Sequence, residues 1–314
     1  MSVEARKWAW ALGELGFDAI RYVADDTVPG LGIDATGTPP ARQEVERAVD
    51  GCDLVVVENL LSLPLNPGAL RAVAAALRGR RALVRHHDLP WQRPQFAHWT
   101  EPPPTDPAWT HVTINELSRA QLRARGIEAT TLYNRFAPPV PSTYRLPGHE
   151  HERVVLQPTR ALPRKDVAGA VRIAAQLDAT YWLLGPAEDG YGPELDRILA
   201  NARTPVVRGL TAGLTVDDAY AACDLVAFPS TWEGFGNPAI ESALARRPLV
   251  IGPYPVAGEL RAFGFRWLTP ADTDAIRRTV DDPDGVRPDL DHNHAIATEH
   301  FALADLPAEL VRLL

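Results

Sequence analysis

Short apolar runs alternate with stretches in which apolar residues recur every three or four positions, along nearly the whole chain. Ala5, Trp8, Ala9, Leu12 and Leu15 fall at helical spacing and stop at Gly16, which predicts a helix over residues 3–16 followed by a strand at Phe17–Val23. A Gly- and Pro-rich loop from Val28 to Pro40 leads to a helix ending near Asp50. A strand at Asp53–Asn59, an alanine-rich helix at Gly68–Arg78 and a strand at Arg81–Arg85 come next. Pro90 to Pro107 has no period and reads as a long loop at the carboxyl end of that strand, where loops tend to carry function. A strand at Val112–Asn115, a helix at Glu116–Arg125 stopped by Gly126, and a strand at Thr130–Asn134 close this first series. Such alternation implies an α/β fold, a parallel sheet with helices on both faces.

Pro138 to Glu152 holds four prolines and little apolar content, and after it the pattern restarts. Strands at Val154–Gln157, Tyr181–Leu184, Val206–Arg208 and Leu225–Phe228 alternate with helices at Val167–Leu177, Glu194–Ala200 and Val216–Ala222. Ala48 to Val56 and Ala219 to Ala227 echo one another, each a helix end followed by Cys-Asp-Leu-Val. Two similar α/β domains are therefore expected, at 1–140 and 153–314, with a linker at 141–152 and the final helix packing back on the first domain. The tail reads as a helix around Asp272–Asp281, a Pro/Asp-rich loop, and helices from about His292 onward.

Composition narrows the field of functions. The 314 residues carry a net charge of −8 with no basic run interleaved with aromatics, which argues against nucleic acid as a partner. Cys52 and Cys223 precede strands in apolar contexts and read as buried, reduced thiols. No apolar run approaches the length of a membrane span, so a cytoplasmic protein is expected, with peripheral membrane contact left open. The 32 basic residues include only two lysines, Lys7 and Lys165, which draws attention to Lys165 as a position suited to a compact ammonium.

The candidate chemistry centres on Ser230-Thr-Trp-Glu-Gly-Phe-Gly-Asn-Pro-Ala-Ile-Glu241, directly behind the strand Leu225–Phe228. Gly234 and Gly236 let a backbone approach a ligand closely, and Asn237 and Pro238 read as the cap and first residue of a helix. Such a helix start favours an anion, most often phosphate. Glu233 and Glu241, separated by seven residues, would repel phosphate and suit hydroxyl groups instead. Phosphate plus hydroxyls suggests a nucleotide sugar. The bland alternative is an ordinary capped helix; Arg160 and Lys165, one strand–helix series earlier, weigh against it. Arg164 reads as solvated. His86-His87-Asp88 ends a strand of the first domain, where each histidine could equally be a loop residue bonded to backbone. Trp91, Gln92, Arg93 and His98 follow as candidates for an acceptor pocket or for a loop packed on its own domain. Asp289-Leu-Asp291 sits in a Pro/Asp-rich stretch and carries no metal assignment.

The motif Glu233 to Glu241 with Gly234-Phe-Gly236, the following Arg246–Gly252 stretch, and Pro158-Thr-Arg160-Ala-Leu-Pro-Arg-Lys165-Asp resemble the donor site of family 4 glycosyltransferases of the GT-B fold (glycosyl transferases group 1). Val112 to Ile127 with Leu132-Tyr-Asn134 resembles the last βαβ unit of that family's first domain. The resemblance is strong over 154–268 and weak over 1–110. It implies two Rossmann-like domains facing across a cleft and transfer of a hexose from a nucleotide-diphosphate sugar, with retention of configuration. It implies no cofactor and no metal, and a small-molecule, glycan or lipid acceptor; nothing in the sequence sets the oligomeric state. Arg160 and Lys165 would neutralise the leaving diphosphate, with His87, or its neighbour His86, facing the donor sugar. Glu241 would accept from the ribose and Glu233 from the sugar, with the backbone of Phe235, Gly236 and Asn237 beside them. One departure stands out: family members open on a strand, whereas this pattern opens on a helix, so the first domain is expected to lack its first strand. A nucleotide-sugar epimerase or phosphorylase, or a catalytically weakened nucleotide-sugar-binding protein, would share these features.

Overall fold

A computed structural model describes residues 3–32, 37–96, 98–150 and 152–314. Ile33–Thr36 of the Gly- and Pro-rich loop, Ala97 of the long loop and His151 of the expected linker lie outside the described residues, as do Met1 and Ser2. The chain divides into two compact units, residues 1–135 with 303–314, and residues 136–302.

The first unit contains α1 (Val3–Glu14), α2 (Arg42–Ala48), β1 (Val55–Glu58), α3 (Pro67–Ala76), β2 (Ala82–His86), β3 (Trp109–Thr113), α4 (Glu116–Arg123), β4 (Ala129–Thr131) and, from the end of the chain, α12 (Leu306–Val311). Its four strands lie in the order β1-β2-β3-β4, all parallel. Every residue of β2 is buried, as the unbroken run of a central parallel strand requires. On one face Val45, Val49, Val73 and Leu77 of α2 and α3 and the residues just after them close over Val57, Ala82 and Val84. On the other, Trp8 and Leu12 of α1 join Leu306 and Leu310 of α12 over Leu83, Val112 and Leu132.

The second unit contains β5 (Val154–Gln157), α5 (Val167–Gln176), β6 (Thr180–Leu183), α6 (Gly192–Ala200), β7 (Val206–Arg208), α7 (Val216–Ala222), β8 (Leu225–Phe228), α8 (Asn237–Leu244), β9 (Leu249–Ile251), α9 (Pro255–Arg261), α10 (Thr273–Asp281) and α11 (Pro283–Phe301). Its five parallel strands run β7-β6-β5-β8-β9. The order reverses at β5, which sends α5 and α8 off the carboxyl ends of two adjacent strands. Ligands of open α/β sheets bind at that switch point. Among the described residues no helix is long and apolar enough to cross a membrane.

The structure departs from the sequence pattern in particular places. Phe17–Val23, expected as a strand, has no regular secondary structure and pairs with no strand of the described residues. The predicted Pro/Asp loop is the first half of α11: Pro283 sits in its first turn, Asp282 accepts from the Gly285 amide at 2.9 Å, and Pro288 is carried inside. Residues 141–152 fall within the second unit, where Ser142 Oγ donates to Asp218 at 2.6 Å. Cys223 is buried, and burial pushes its thiol up to about 12, whereas Cys52 is only partly covered.

Candidate active site

Two loops meet at the carboxyl ends of β5 and β8. The first turns from β5 through Pro158–Arg160 into a 3-10 turn at Pro163–Lys165 and then into α5, whose start Asp166 caps by accepting from the Gly169 amide at 2.9 Å. It is braced from the side by Gly185, where a Cβ would lie 2.5 Å from the Arg160 Cα; only glycine lets the two backbones approach so closely. The second loop, Pro229 to Gly236, leads from β8 into α8. Thr231 donates its amide to the Arg164 carbonyl at 2.8 Å, which ties the two loops together.

Side chains draw the tie tighter. Lys165 Nζ lies 2.5 Å from Glu233 Oε1, and Arg164 Nη1 lies 2.8 Å from Glu233 Oε2 while also donating to the Trp232 carbonyl at 3.1 Å. Lys165 and Glu233 are both buried. Burial pushes the Lys165 ammonium down to about 8, with Glu233 pulling against it and Arg164 and Arg160 adding to the push. Its Nζ sits 5.4 Å above the Phe228 ring, and its carbonyl accepts from Gln157 at 2.9 Å. Arg160 is exposed and paired with Glu188 at 2.5 Å. Reading Arg164 as solvated is thus corrected: it is a partner of Glu233, and the spacing signal that marked Lys165 gave no reason to prefer its neighbour.

Gly236 has φ +95°, and a Cβ there would meet the Tyr254 Oη at 2.1 Å. That left-handed turn makes Gly236 the cap and Asn237 the first helical residue, one position earlier than the expected cap at Asn237. Tyr254 donates to the Phe235 carbonyl at 3.2 Å, and its hydroxyl is held un-ionised by burial and by Glu233. Gly234 and Phe235 lie between Glu233 and this turn, so the expected loop residues are brought together at the start of α8. Glu241 lies one turn further along the helix. The buried Tyr220 of α7 donates to its Oε2 at 2.9 Å. Neither tyrosine was flagged by the sequence, since each belongs to an element without a motif of its own. Among the described residues, Thr159 Oγ1, Ser230 Oγ and Trp232 Nε1, all on these two loops, are buried without a hydrogen-bond partner. Native interiors seldom leave such atoms unsatisfied, so they mark a place prepared for a polar ligand.

The histidines belong to the first unit. His86 is fully enclosed: Nδ1 lies 2.7 Å from Ser62 Oγ and Nε2 lies 2.9 Å from His111 Nδ1. Burial, then His111 and His87, drive its pKa well down, and burial alone takes His111 to about 4. His87 is partly exposed, with Nε2 2.7 Å from Glu58 Oε2. The same carboxylate pairs with Arg85 at 3.1 Å, whose other nitrogen reaches Glu4 at 3.0 Å and Asn134 at 2.7 Å. Burial would raise Glu58, but Arg85 and His87 together hold it near 2. Trp91 and Gln92 donate to Gln121 of α4, and Arg93 pairs with Asp88 at 2.5 Å, so three of the four acceptor-pocket candidates pack on their own unit. Asp289 and Asp291 are each paired with an arginine, Arg266 and Arg246.

A family model described as Glycosyl transferases group 1 matches residues 165–281, the span that runs from Lys165 through the Glu233 loop and α8. That span carries the pattern of the group 1 glycosyl transferases. This glycosyltransferase is 23% identical to mannosylglucosylglycerate synthase of Thermotoga maritima over 85% of its own length and 77% of the relative's. The enzyme of the same name from Petrotoga mobilis is 24% identical over 65% and 60% of the two chains. In fold it is similar to Anabaena HepE solved with UDP-glucose, at a TM-score of 0.67 and 22% identity over 87% and 82% of the chains. It is similar too to sucrose-phosphate synthase from Thermosynechococcus elongatus, at a TM-score of 0.62 and 16% identity over 87% and 77%. The glycosyltransferase thus has the α/β architecture on parallel sheets of GT-B proteins.

Proposed function

We propose that this glycosyltransferase moves a hexose from a uridine diphosphate sugar in the cytoplasm to a small-molecule, glycan or lipid acceptor, with retention of configuration and without a metal. The observation that carries the reading is the buried Lys165, held with Arg164 on Glu233 at the loop that opens into α8. A buried ammonium beside a helix start is suited to a diphosphate, and a carboxylate in the same place is suited to sugar hydroxyls. HepE was solved with UDP-glucose, which supports the choice of base and of donor class.

In this reading Arg160 and Lys165 neutralise the charge that grows on the leaving diphosphate, and the backbone of Phe235, Gly236 and Asn237 lines the donor. Glu241 accepts from the ribose hydroxyls and Glu233 from the hexose. Lys165 exchanges its contact with Glu233 for the phosphate when donor binds. Of the two histidines, His87 is the catalytic candidate, because its ring has an exposed edge and that of His86 does not. A second reading, a nucleotide-sugar-binding protein with weakened turnover, is favoured by the four-stranded first sheet, whose β1 edge is unpaired among the described residues.

The test is a thermal-shift panel of UDP, ADP, GDP, CDP and dTDP, followed by UDP release from UDP-hexoses against acceptors that include a glycerate glycoside. UDP is expected to raise the melting temperature most, and release is expected to depend on acceptor. Indifference to every nucleotide refutes the donor site; UDP binding without turnover favours the second reading.

A further inference from the structure

Near the carboxyl ends of its strands the first unit encloses a guanidinium among carboxylates. Arg85 is fully buried, with its guanidinium carbon 4.7 Å from the centre of the Trp8 ring. One terminal nitrogen donates to Glu4 at 3.0 Å and to Asn134 at 2.7 Å; the other, Nη1, lies 3.1 and 3.3 Å from the two oxygens of Glu58. A guanidinium only donates, so it keeps an oxygen of residue 58 turned toward it. Burial raises the Glu58 carboxyl, but Arg85 and His87 hold it near 2. Glu58 is therefore ionised at neutral pH and can only accept.

His87 is gripped by two consecutive residues at the end of β1. Asn59 turns at φ +59°, a left-handed conformation that asparagine tolerates, and its side-chain oxygen accepts from the His87 amide at 2.9 Å. Glu58 takes the ring, with its Oε2 2.7 Å from Nε2. The backbone and the imidazole of His87 are thus set by separate contacts. His86 spends both ring nitrogens, on Ser62 and His111. His87 spends one: its Nδ1 is neither buried nor hydrogen-bonded among the described residues.

A carboxylate that only accepts must receive the Nε2 proton, and a neutral imidazole has a single N–H, so Nδ1 is left bare. We propose that Glu58 is a positioning residue that acts through His87, fixing the ring tautomer so that Nδ1 accepts a hydrogen bond from a substrate hydroxyl. This rests on the reading of His87 as the histidine that faces substrate. A bare nitrogen selects an O–H donor and disfavours a carboxylate, a carbonyl or an ionised phosphate, none of which has a proton to give. Both the hexose and the acceptor carry hydroxyls, and the kinetics distinguish the two sources.

Glu58→Gln keeps the shape of the side chain and changes one oxygen to an amide nitrogen. Because Arg85 cannot accept, the amide oxygen stays on Arg85 and the amide nitrogen turns to His87, whose Nε2 must then accept and whose proton moves to Nδ1. Nitrogen-15 spectra of the histidine-labelled full chain, recorded at about pH 9, well above the ordinary imidazole range, read the tautomer directly, with the His87 signals assigned by their loss in His87→Asn. The parent is expected to carry its proton on Nε2 and Glu58→Gln on Nδ1. Transfer by the variant is expected to lose about 10-fold in kcat/KM, mostly through the KM of whichever substrate, donor or acceptor, owns the hydroxyl. Glu4→Gln takes the other carboxylate from Arg85 without touching His87, and should keep the parent tautomer and a kcat/KM within about threefold. A proton on Nδ1 of the parent overturns the proposal. So does a Glu58→Gln variant within about threefold of the parent, or a Glu4→Gln variant that loses as much, which would make the loss one of folding rather than of tautomer. The parent tautomer is read on the unaltered chain without nucleotide or turnover. If no UDP-hexose is turned over, the proposed function fails, while the tautomer still decides whether Glu58 sets the ring.

Discussion

Replacing Lys165 with methionine separates the charge of this side chain from its bulk, and the structure sets what each is worth. The ammonium is held near 8 against an ordinary 10.5 even with Glu233 pulling it back up, so the unfavourable surroundings that the neutral side chain escapes cost at least roughly 3 kcal/mol before the attraction of Glu233 is set against them. Against that gain, Glu233 loses its contact at 2.5 Å, and stripping one partner from a buried ion pair costs about 3–5 kcal/mol. Arg164 stays on the other carboxylate oxygen at 2.8 Å, which places the cost toward the low end. The two effects nearly offset. Lys165→Met should change stability by no more than about 2 kcal/mol, and so shift the melting temperature by less than roughly 8 °C. Losing one preorganised cation at a leaving diphosphate lowers kcat by about 100- to 1,000-fold. The assay is UDP release at saturating donor, with circular dichroism and the melting temperature on the same preparation. A folded variant whose kcat stays within about threefold of the parent refutes the assigned role. The parent carries a second signature. The folded pKa of Lys165 lies below the unfolded value, so the unfolded chain binds more protons between about pH 8 and 10.5. This group's contribution to stability therefore rises with pH across that window and is absent from the methionine variant.

Three further outcomes follow from the same geometry. Gly236→Ala must place a Cβ against the Tyr254 hydroxyl at a φ of +95°, so it should destabilise by about 2 kcal/mol or more and raise the donor KM; an unchanged KM and melting temperature would show that the turn is not held there. Tyr220→Phe removes the hydroxyl that holds Glu241 at 2.9 Å without leaving a buried group unpaired on the helix side; UDP affinity by calorimetry should fall by roughly 5- to 20-fold with kcat little changed, and equal affinity would mean Glu241 is oriented by other contacts. Acid should weaken the first unit in two stages. His111, lowered to about 4 by burial, loses its contribution as pH falls from about 6.5 to 4, and Glu58, held near 2, loses its own below about 4.5; urea unfolding that is flat between pH 7 and 4 would refute the buried neutral His86–His111 pair.

Why some features were legible and others were not comes down to whether a local pattern or a distant partner decides them. The fully buried strands β5 and β8 read straight from four-residue apolar runs, because burial on both faces leaves no polar position to blur the signal. Phe17–Val23 has equally good strand chemistry, but a strand exists only as half of a pair, and the segment has no pairing partner among the described residues. Residues 283–301 erred in the opposite direction. Pro283 and Pro288 set among aspartates suggest a loop, whereas Asp282 supplies a cap and Pro283 fills a first-turn position where its missing amide costs nothing.

The donor-site residues show the same division at finer grain. Residue type and spacing mark Lys165, Glu233, Gly236 and Glu241, since each chemistry needs that kind of side chain near a glycine turn. They do not show that Lys165 and Glu233, 68 positions apart, hold one another at 2.5 Å, or that Arg164 completes the arrangement. That contact changes the meaning of the motif. Two carboxylates near a phosphate would be repulsive if both were bare, but Glu233 arrives with its charge already met by two cations, and any donor must compete for Lys165 while leaving Glu233 to Arg164. Under the proposed function Arg164 would hold the carboxylate in place while the lysine turned to the diphosphate, which would make a residue without a motif of its own matter to the site as much as those that carry one.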